Sequence, residues 1–404
     1  MLIAKEMPVQ SKILFFDLEL TGHHIEYLYH LIRYRIEHPE CPVFFLVTHP
    51  DFFNHLNGLE IPEDLHSRGI NIIHPSWQEI KELSKIPKAS KRAKTEICLL
   101  NRMVRDHSIQ CCYIMHVNKY QFVLGRKIAW QLPCPIRGIL LNPFGASGNK
   151  EPIWFAKLRK YLQLLWMMRN KKLERIYILN DDVQADAMNR KYRNQNYFLS
   201  LPDPILNLPA KMLKDENTLG KEKPGKYRFL LFGALRTGKG IFMTIEALKL
   251  LPDNISGDIE VFFAGQINEK DRGAFNAALS DIKQVKSDIT IRYFDEFVPY
   301  NSLGSIFLNS DCVLVPYIGN QASSGLLGHA ALYGKPVIGP DCGLVGRLIR
   351  SYDLGTVVAN LDAAKLADAM TNYYYRKTNH KVSGMQRFVQ ERNPNKFIQN
   401  LIST

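Results

Sequence analysis

The chain has 404 residues, of which 46% are hydrophobic and 23% charged, and its formal net charge is +13 at pH 7. That length and balance suit two or more soluble domains whose cores need neither disulfides nor metal. The basic excess points to nucleotide phosphates, acidic lipid headgroups or nucleic acid, or else to a solvated surface. The basic residues are spread over many segments without a recognition-helix or RNA-binding signature, which argues against nucleic acid.

Seven cysteines, Cys41, Cys98, Cys111, Cys112, Cys134, Cys312 and Cys342, show no Cys-x-x-Cys spacing. They predict a reducing compartment and no structural zinc. No apolar stretch before Ser11 resembles a signal peptide. No apolar run approaches the ~20 residues of a membrane span. The expected location is cytoplasmic, with peripheral contact at the inner face of a membrane as a candidate.

Short apolar runs recur along the chain: Ile13–Phe16, Val43–Val47, Cys112–Met115, Ile139–Leu141 and Ile176–Leu179. A second series follows at Phe229–Phe232, Val261–Ala264, Ile289–Tyr293, Cys312–Val315 and Val337–Ile338. Continuous apolar strands alternating with amphipathic helices predict parallel sheets covered on both faces, the doubly wound α/β architecture. The series are separated by Leu201–Pro209, which carries three prolines, and by a polar stretch through Lys226. This linker predicts one Rossmann-like domain over 1–205 and a second over 206–389. Ligands of such halves sit at the carboxyl ends of their strands.

Five segments carry candidate chemistry. Gly22-His23-His24-Ile25-Glu26 follows the first strand, and His116 ends the strand Cys112–Met115. These histidines suit contact with an acceptor hydroxyl, or ordinary hydrogen-bonded loops; His-His-x-Glu is not a metal-ligand spacing. Residues 152–173 form an amphipathic stretch in which Trp154, Phe155, Leu162, Leu165, Trp166 and Met167 mingle with Lys and Arg. It suits packing on the first sheet or docking to an anionic membrane. After Phe229–Phe232, Gly233 leads to Arg236, Gly238, Lys239 and Gly240. An arginine fork and a lysine beside a glycine turn suit a pyrophosphate, or are two solvated cations on a strand-to-helix turn. Finally, Ser323, Ser324 and Gly325 open a helix that carries His329 and ends at Gly334. Its free N–H groups suit a distal phosphate, or Ser is a plain cap.

In order and spacing these residues resemble family-4 glycosyltransferases of the GT-B fold. The resemblance runs from about Tyr227 to Val358: strand, Gly233, Arg236, Lys239-Gly240; then Val261–Gly265; then Phe294–Val298; then Asp311–Pro316; then Ala330–Ile338. It is weaker in the first half, where Gly22 and His116 match the acceptor-side glycine loop and histidine. The final Arg392–Ile402 resembles the family's last helix, so 390–404 is expected to pack back on the first domain.

The resemblance implies a hexosyltransferase-type enzyme, retaining at the anomeric centre, in which the two domains face each other across a cleft. It implies polysaccharide biosynthesis or a lipid-linked glycan acceptor. Arg236 and Lys239 would hold the diphosphate, and Arg236, Lys239 and His116 form the catalytic set. Gly233, Val298, Gln321, Ser323, Ser324, Gly325 and His329 would line the donor site. Gly22, His23 and His24 would line the acceptor side. No cofactor or metal is implied; the nucleotide-diphospho-sugar is a substrate.

One departure stands out. The family has two glutamates eight positions apart, and here those positions are Gln321 and His329. Both can hydrogen-bond a sugar, but neither is a carboxylate. The alternative expectation is therefore a non-catalytic GT-B relative that binds nucleotide sugar or glycan, or scaffolds a partner enzyme.

Overall fold

The computed structural model describes residues 11–20, 22–56, 58–141, 153–194, 196–207, 225–319, 325–376 and 383–403. The chain divides into two compact units. The first runs to Leu56, resumes over Glu60–Pro202 and includes Phe397 onward; the second comprises Asp203–Lys396 with the short stretch 57–59.

The first unit is built on a parallel sheet of β1 (Lys12–Phe16), β2 (Val43–Val47), β3 (Ile70–Ile73), β4 (Cys111–Ile114), β5 (Ile136–Leu140), β6 (Leu173–Leu179) and β7 (Phe198–Leu201). Their order is β3-β2-β1-β4-β5-β6-β7. The second unit has β8 (Tyr227–Phe232), β9 (Ile259–Ala264), β10 (Thr290–Phe294), β11 (Cys312–Leu314), β12 (Val337–Pro340) and β13 (Gly355–Val358), in the order β10-β9-β8-β11-β12-β13. Every pairing is parallel, as at Phe15↔Leu46 and Leu230↔Phe262. Parallel strands need crossovers, and the crossover helices cover both sheet faces. The central strands are accordingly buried almost end to end: β9, with the sequence IEVFFA, is buried at every position.

The helices supply the matching faces. Ala89–Asp106 buries Ala93, Ile97, Leu100 and Val104, a helical stripe over β1 and β4 residues such as Leu14 and Cys112. Helix Trp77–Ser84 begins with a capping box between Ser76 and Glu79. In the second unit, Ile241, Ile245 and Leu248 of helix Ile241–Lys249 pack with Phe229, Leu231 and Phe263. Helix Pro394–Ile402 closes the chain, and its Leu401 carbonyl accepts from the Tyr113 hydroxyl at 2.7 Å and from Tyr177 at 3.1 Å within the first unit.

Helix His23–Glu37 is buried along most of its length, and this includes His30 at 4% exposure. The His30 Nε2 atom has no hydrogen-bond partner among the described residues. Burial, opposed only by the Glu26 carboxylate, pushes this imidazole down to about 4. The fold therefore holds His30 neutral while the unfolded chain protonates it below its ordinary value of 6.5. Stability from this group is complete above that value and is lost as pH falls toward 4, the sign expected when the unfolded state binds more protons. Urea unfolding at pH 7 and pH 5 checks this. His30→Leu should lose roughly 2 kcal/mol less than the wild-type chain over that interval.

Candidate functional site

Both sheets reverse their winding beside their first strand. From β1 the chain proceeds outward to β2 and β3, then returns to β4 on the other side; from β8 it goes to β9 and β10, then returns to β11. Loops leaving the two central strands diverge, so a crevice opens at their carboxyl ends. The residues just after β1 and β4, and just after β8 and β11, are the candidates this topology selects.

In the second unit the loop after β8 is fixed by backbone contact. Gly233 has φ +105°, and its N–H donates to Ala264 O at 2.9 Å. A Cβ on Gly265, itself at φ +137°, would lie 2.1 Å from the Gly233 carbonyl oxygen. A 3-10 turn, Thr237–Lys239, ends at Gly240, where φ is +79° and a Cβ would lie 2.2 Å from Pro316 O. The Gly238 carbonyl accepts from the Ile318 N–H at 3.1 Å. Asp271 closes the turn from the other side, taking the Thr237 N–H at 2.9 Å and the hydroxyl at 2.8 Å. The loop is thus seated between the ends of β9 and β11.

This seat presents the two predicted cations. Arg236 is exposed, and its guanidinium has no hydrogen bond or ion pair among the described residues. The Lys239 ammonium lies 3.6 Å from the Tyr317 ring centroid, in the segment that follows β11. Tyr317 was not a sequence expectation. Its signal was the aromatic directly after Val315-Pro316, at the end of a buried strand.

The other donor-side expectations are distributed around this loop. Val298 is 5% exposed, before helix Tyr300–Leu308, whereas its neighbour Phe297 is half exposed and stands edge-on to Tyr300. Gly325 begins helix Gly325–Leu332. His329 is buried on that helix, its ring 5.6 Å from Phe307 and 6.5 Å from Phe232, the residue before Gly233. Gln321, Ser323 and Ser324 lie outside the described residues.

In the first unit, Gly22 (φ +64°) starts helix His23–Glu37. The expected histidines separate in role. His23 is partly exposed, stacks on Tyr27 and lies 3.8 Å from Glu26. His24 is buried, and its Nδ1 is 2.7 Å from Oδ2 of Asp17, a buried carboxylate one residue past β1. The His24 ring centroid lies 5.1 Å from that of His116, which follows β4 and starts helix Val117–Leu124.

A second charged group adjoins them. Lys119 bridges Glu19 at 2.8 Å and Glu96 at 3.0 Å, and the Tyr120 hydroxyl donates to Glu96 at 2.7 Å. Burial lowers the His24 pKa, but the charge and hydrogen bond of Asp17, with Glu19, outweigh it and the net shift is upward. Burial and the neighbouring His24 hold His116 below its ordinary value. Burial opposes ionisation of both Glu19 and Lys119, yet Lys119 holds Glu19 down, and Glu96 together with Glu19 holds Lys119 up. Sequence reasoning missed Asp17, Glu19, Glu96 and Lys119. An acid immediately after an apolar strand was the available signal for Asp17. Among the described residues no group of three or more His, Cys, Asp or Glu is arranged to hold a metal ion.

Two substitutions separate architecture from surface in this loop. Gly240→Ala meets both a positive φ and the Pro316 carbonyl, and should cost roughly 1–3 kcal/mol in chemical denaturation. Arg236→Ala should stay within about 0.5 kcal/mol of the parent, because no described residue is bound to it.

With this geometry in view, residues 226–375 match the family model described as glycosyl transferases group 1. No curated protein sequence matches the chain. Solved structures similar to it include HepE of Anabaena in complex with UDP and glucose, at TM-score 0.68 and 14% identity over 97% of this chain and 98% of that one. WaaG, a glycosyltransferase involved in lipopolysaccharide biosynthesis, gives TM-score 0.64 and 14% identity over 97% of this chain and all of the other. Sucrose-phosphate synthase of Thermosynechococcus elongatus gives 0.68 and 13%, covering 97% of each.

Proposed function

We propose that this chain, a GT-B protein whose residues 226–375 belong with the glycosyl transferases group 1, moves a sugar from a nucleotide-diphospho-sugar to a glycan or lipid-linked acceptor. The observation that carries the reading is the pair Arg236 and Lys239 on a glycine-seated turn where the second sheet reverses. In such a transfer the bond from the anomeric carbon to the diphosphate breaks, and negative charge gathers on the leaving phosphate. Prepositioned cations and backbone N–H groups stabilise that charge more than they stabilise the ground state. HepE has been solved with UDP-glucose, which makes a uridine nucleotide the first donor to try.

The finer assignments follow the resemblance. Gly325, with Ser323 and Ser324, offers N–H groups or hydroxyls to the phosphates, Gly233 shapes the turn beside them while its own N–H stays on Ala264 O, the backbone at Val298 meets the base, and Gln321 and His329 serve the sugar and ribose. Gly22, His23, His24 and His116 serve the acceptor. Arg236 and Lys239 do the charge neutralisation, so no metal takes part, and the transfer is hexosyl with retention.

A membrane surface is proposed as the place of work. On helix Ile153–Met168, Leu164 and Met167 are buried while Leu158, Leu162, Leu165 and Trp166 form an exposed stripe. Arg169 covers the Trp166 ring at 5.3 Å, and Arg126 covers the exposed Phe122 at 5.7 Å. Apolar side chains among cations suit the headgroup boundary of an anionic bilayer. Among the described residues no helix is long and apolar enough to cross it.

A second reading rests on Gln321 and His329 standing where the family has glutamates: a relative that binds donor without turning it over.

Three measurements test these statements. Arg236→Ala and Lys239→Ala should each cut transfer from UDP-glucose by roughly 100-fold or more with melting temperature unchanged. Parental rates in both refute the assigned role. UDP should raise the melting temperature of the parent chain, and that rise with no turnover across an acceptor panel selects the non-catalytic reading. In flotation, the chain should bind vesicles of mixed phosphatidylserine and phosphatidylcholine more than phosphatidylcholine alone. The Leu158→Glu, Leu162→Glu double variant should lose that binding, and equal recovery with both lipids refutes docking.

A further inference from the structure

The carboxyl ends of β2 and β3, both in the first unit, carry a cluster that the resemblance does not use. Val47 pairs with Ile73, so Thr48 and His74 leave the sheet side by side. The Thr48 carbonyl can only accept, and His74 Nδ1 lies 3.2 Å from it, so in the neutral ring Nδ1 carries the proton and Nε2 the lone pair. The next residue, His49, is locked the other way. The Asp51 backbone N–H donates to its Nδ1 at 3.0 Å, which puts the proton on Nε2. No described residue is bonded to either Nε2. Burial lowers the His49 pKa; Asp51 and Glu19 oppose that, His55 and His74 add to it, and the net shift is downward. With both rings neutral, the pair offers one donor and one acceptor, the two things a hydroxyl group exchanges.

Each imidazole stands edge-to-face with an open aromatic. Trp77, which starts helix Trp77–Ser84, lies 5.6 Å from His49 between ring centroids, and Phe53 lies 6.1 Å from His74. Trp77 is 61% exposed and Phe53 47%. Two large open rings around one histidine pair make a patch, unlike apolar residues exposed singly. An aromatic face is electron-rich and attracts the polarised C–H bonds on the flat side of a sugar ring. Residues 48–56 and 73–78 contain one carboxylate, Asp51, and no lysine or arginine. Asp51 is taken up by the Asn54 amide at 2.6 Å and by His55 at 3.0 Å. A phosphate finds no fixed counter-charge in these segments, and a neutral polyhydroxyl ligand needs none.

We infer that this end of the sheet binds a neutral glycan: Trp77 and Phe53 stack on sugar rings, and the Nε2 atoms of His49 and His74 exchange hydrogen bonds with hydroxyls. Such binding is separate from turnover, so it is open to a transferase and to a binding-only relative alike.

The test is a titration of the full chain with maltohexaose, cellohexaose and xylohexaose, read by tryptophan fluorescence and calorimetry with no donor present. At least one of these neutral chains should bind saturably and change the emission. Trp77→Ala and Phe53→Ala should each weaken that binding roughly 10-fold, with melting temperature kept. Trp77→Phe, which keeps an aromatic face, should stay within about 3-fold of the parent, and His74→Phe should weaken binding by about 3-fold or more. Trp166→Ala, on helix Ile153–Met168, should leave it unchanged. The inference is overturned if none of the three chains binds the folded parent, or if Trp77→Ala and Phe53→Ala bind as the parent does. It is also overturned if binding is lost in Trp166→Ala and kept in Trp77→Ala. A parent chain that binds a glycan through Trp77 and yet transfers no sugar supports this inference and sinks the transferase reading alone.

Discussion

At the carboxyl end of β8, backbone runs against backbone with no room for a side chain. The Gly233 carbonyl fills the space of a Cβ at Gly265, and the Pro316 carbonyl fills that of Gly240. Two close approaches, one to each neighbouring strand, leave the loop a single path. That path turns Arg236 outward, lays Lys239 along Tyr317 and starts helix Ile241–Lys249. Loops are ordinarily the mobile part of an α/β protein. Here the segment that carries the cations is pinned by close backbone contacts at its two ends, which lowers the reorganisation its charges need to meet an anion.

Charge in this molecule is sorted by the direction of the strands. Toward the amino ends of β8 and β9, Arg228 pairs with Glu260 at 3.1 Å, Arg292 adds a second contact at 3.3 Å, and the Arg228 guanidinium also donates to Asn309 O at 3.0 Å. Arg228 and Glu260 are buried and Arg292 half-buried, and all three are answered by protein groups, as buried charge requires. At the other end of the same sheet Arg236 has no such answer among the described residues. A paired buried ion serves the fold; an unpaired one at the mouth of a crevice is available to a ligand. The first unit differs: Asp17, Glu19 and Glu96 gather beyond the end of β1, and there His24 pairs with Asp17 and Lys119 with both glutamates.

The strands that sequence reading located are those with continuous apolar runs. The ones it passed over, β3, β7 and β13, all lie at the outer edge of a sheet. Their burial is mixed, as in the four half-buried positions of β13, so no apolar run marks them. The glycine turn after β8 was legible because only glycine takes its backbone angles and its contacts, and a sequence displays glycine directly. The Asp17–His24 pair was not. The two stand seven positions apart, and their meeting depends on how the chain leaves a strand and enters a helix at Gly22. Likewise Lys119 and Glu96 come together only because helices Ala89–Asp106 and Val117–Leu124 flank the same strand.

The Lys239 ammonium resting 3.6 Å from the Tyr317 centroid has a consequence for the cost of binding. A free lysine gives up about 1.5–2 kcal/mol of rotamer entropy when it is fixed on a ligand. The Tyr317 ring holds the ammonium through a weak cation–π contact, so part of that ordering is already in place in the folded chain. On the proposed donor role, a diphosphate would exchange one partner of the ammonium for another instead of ordering a disordered side chain. On that role the neutral ring is a stand-in partner for the cation, weak enough to be displaced and close enough to keep the charge aimed.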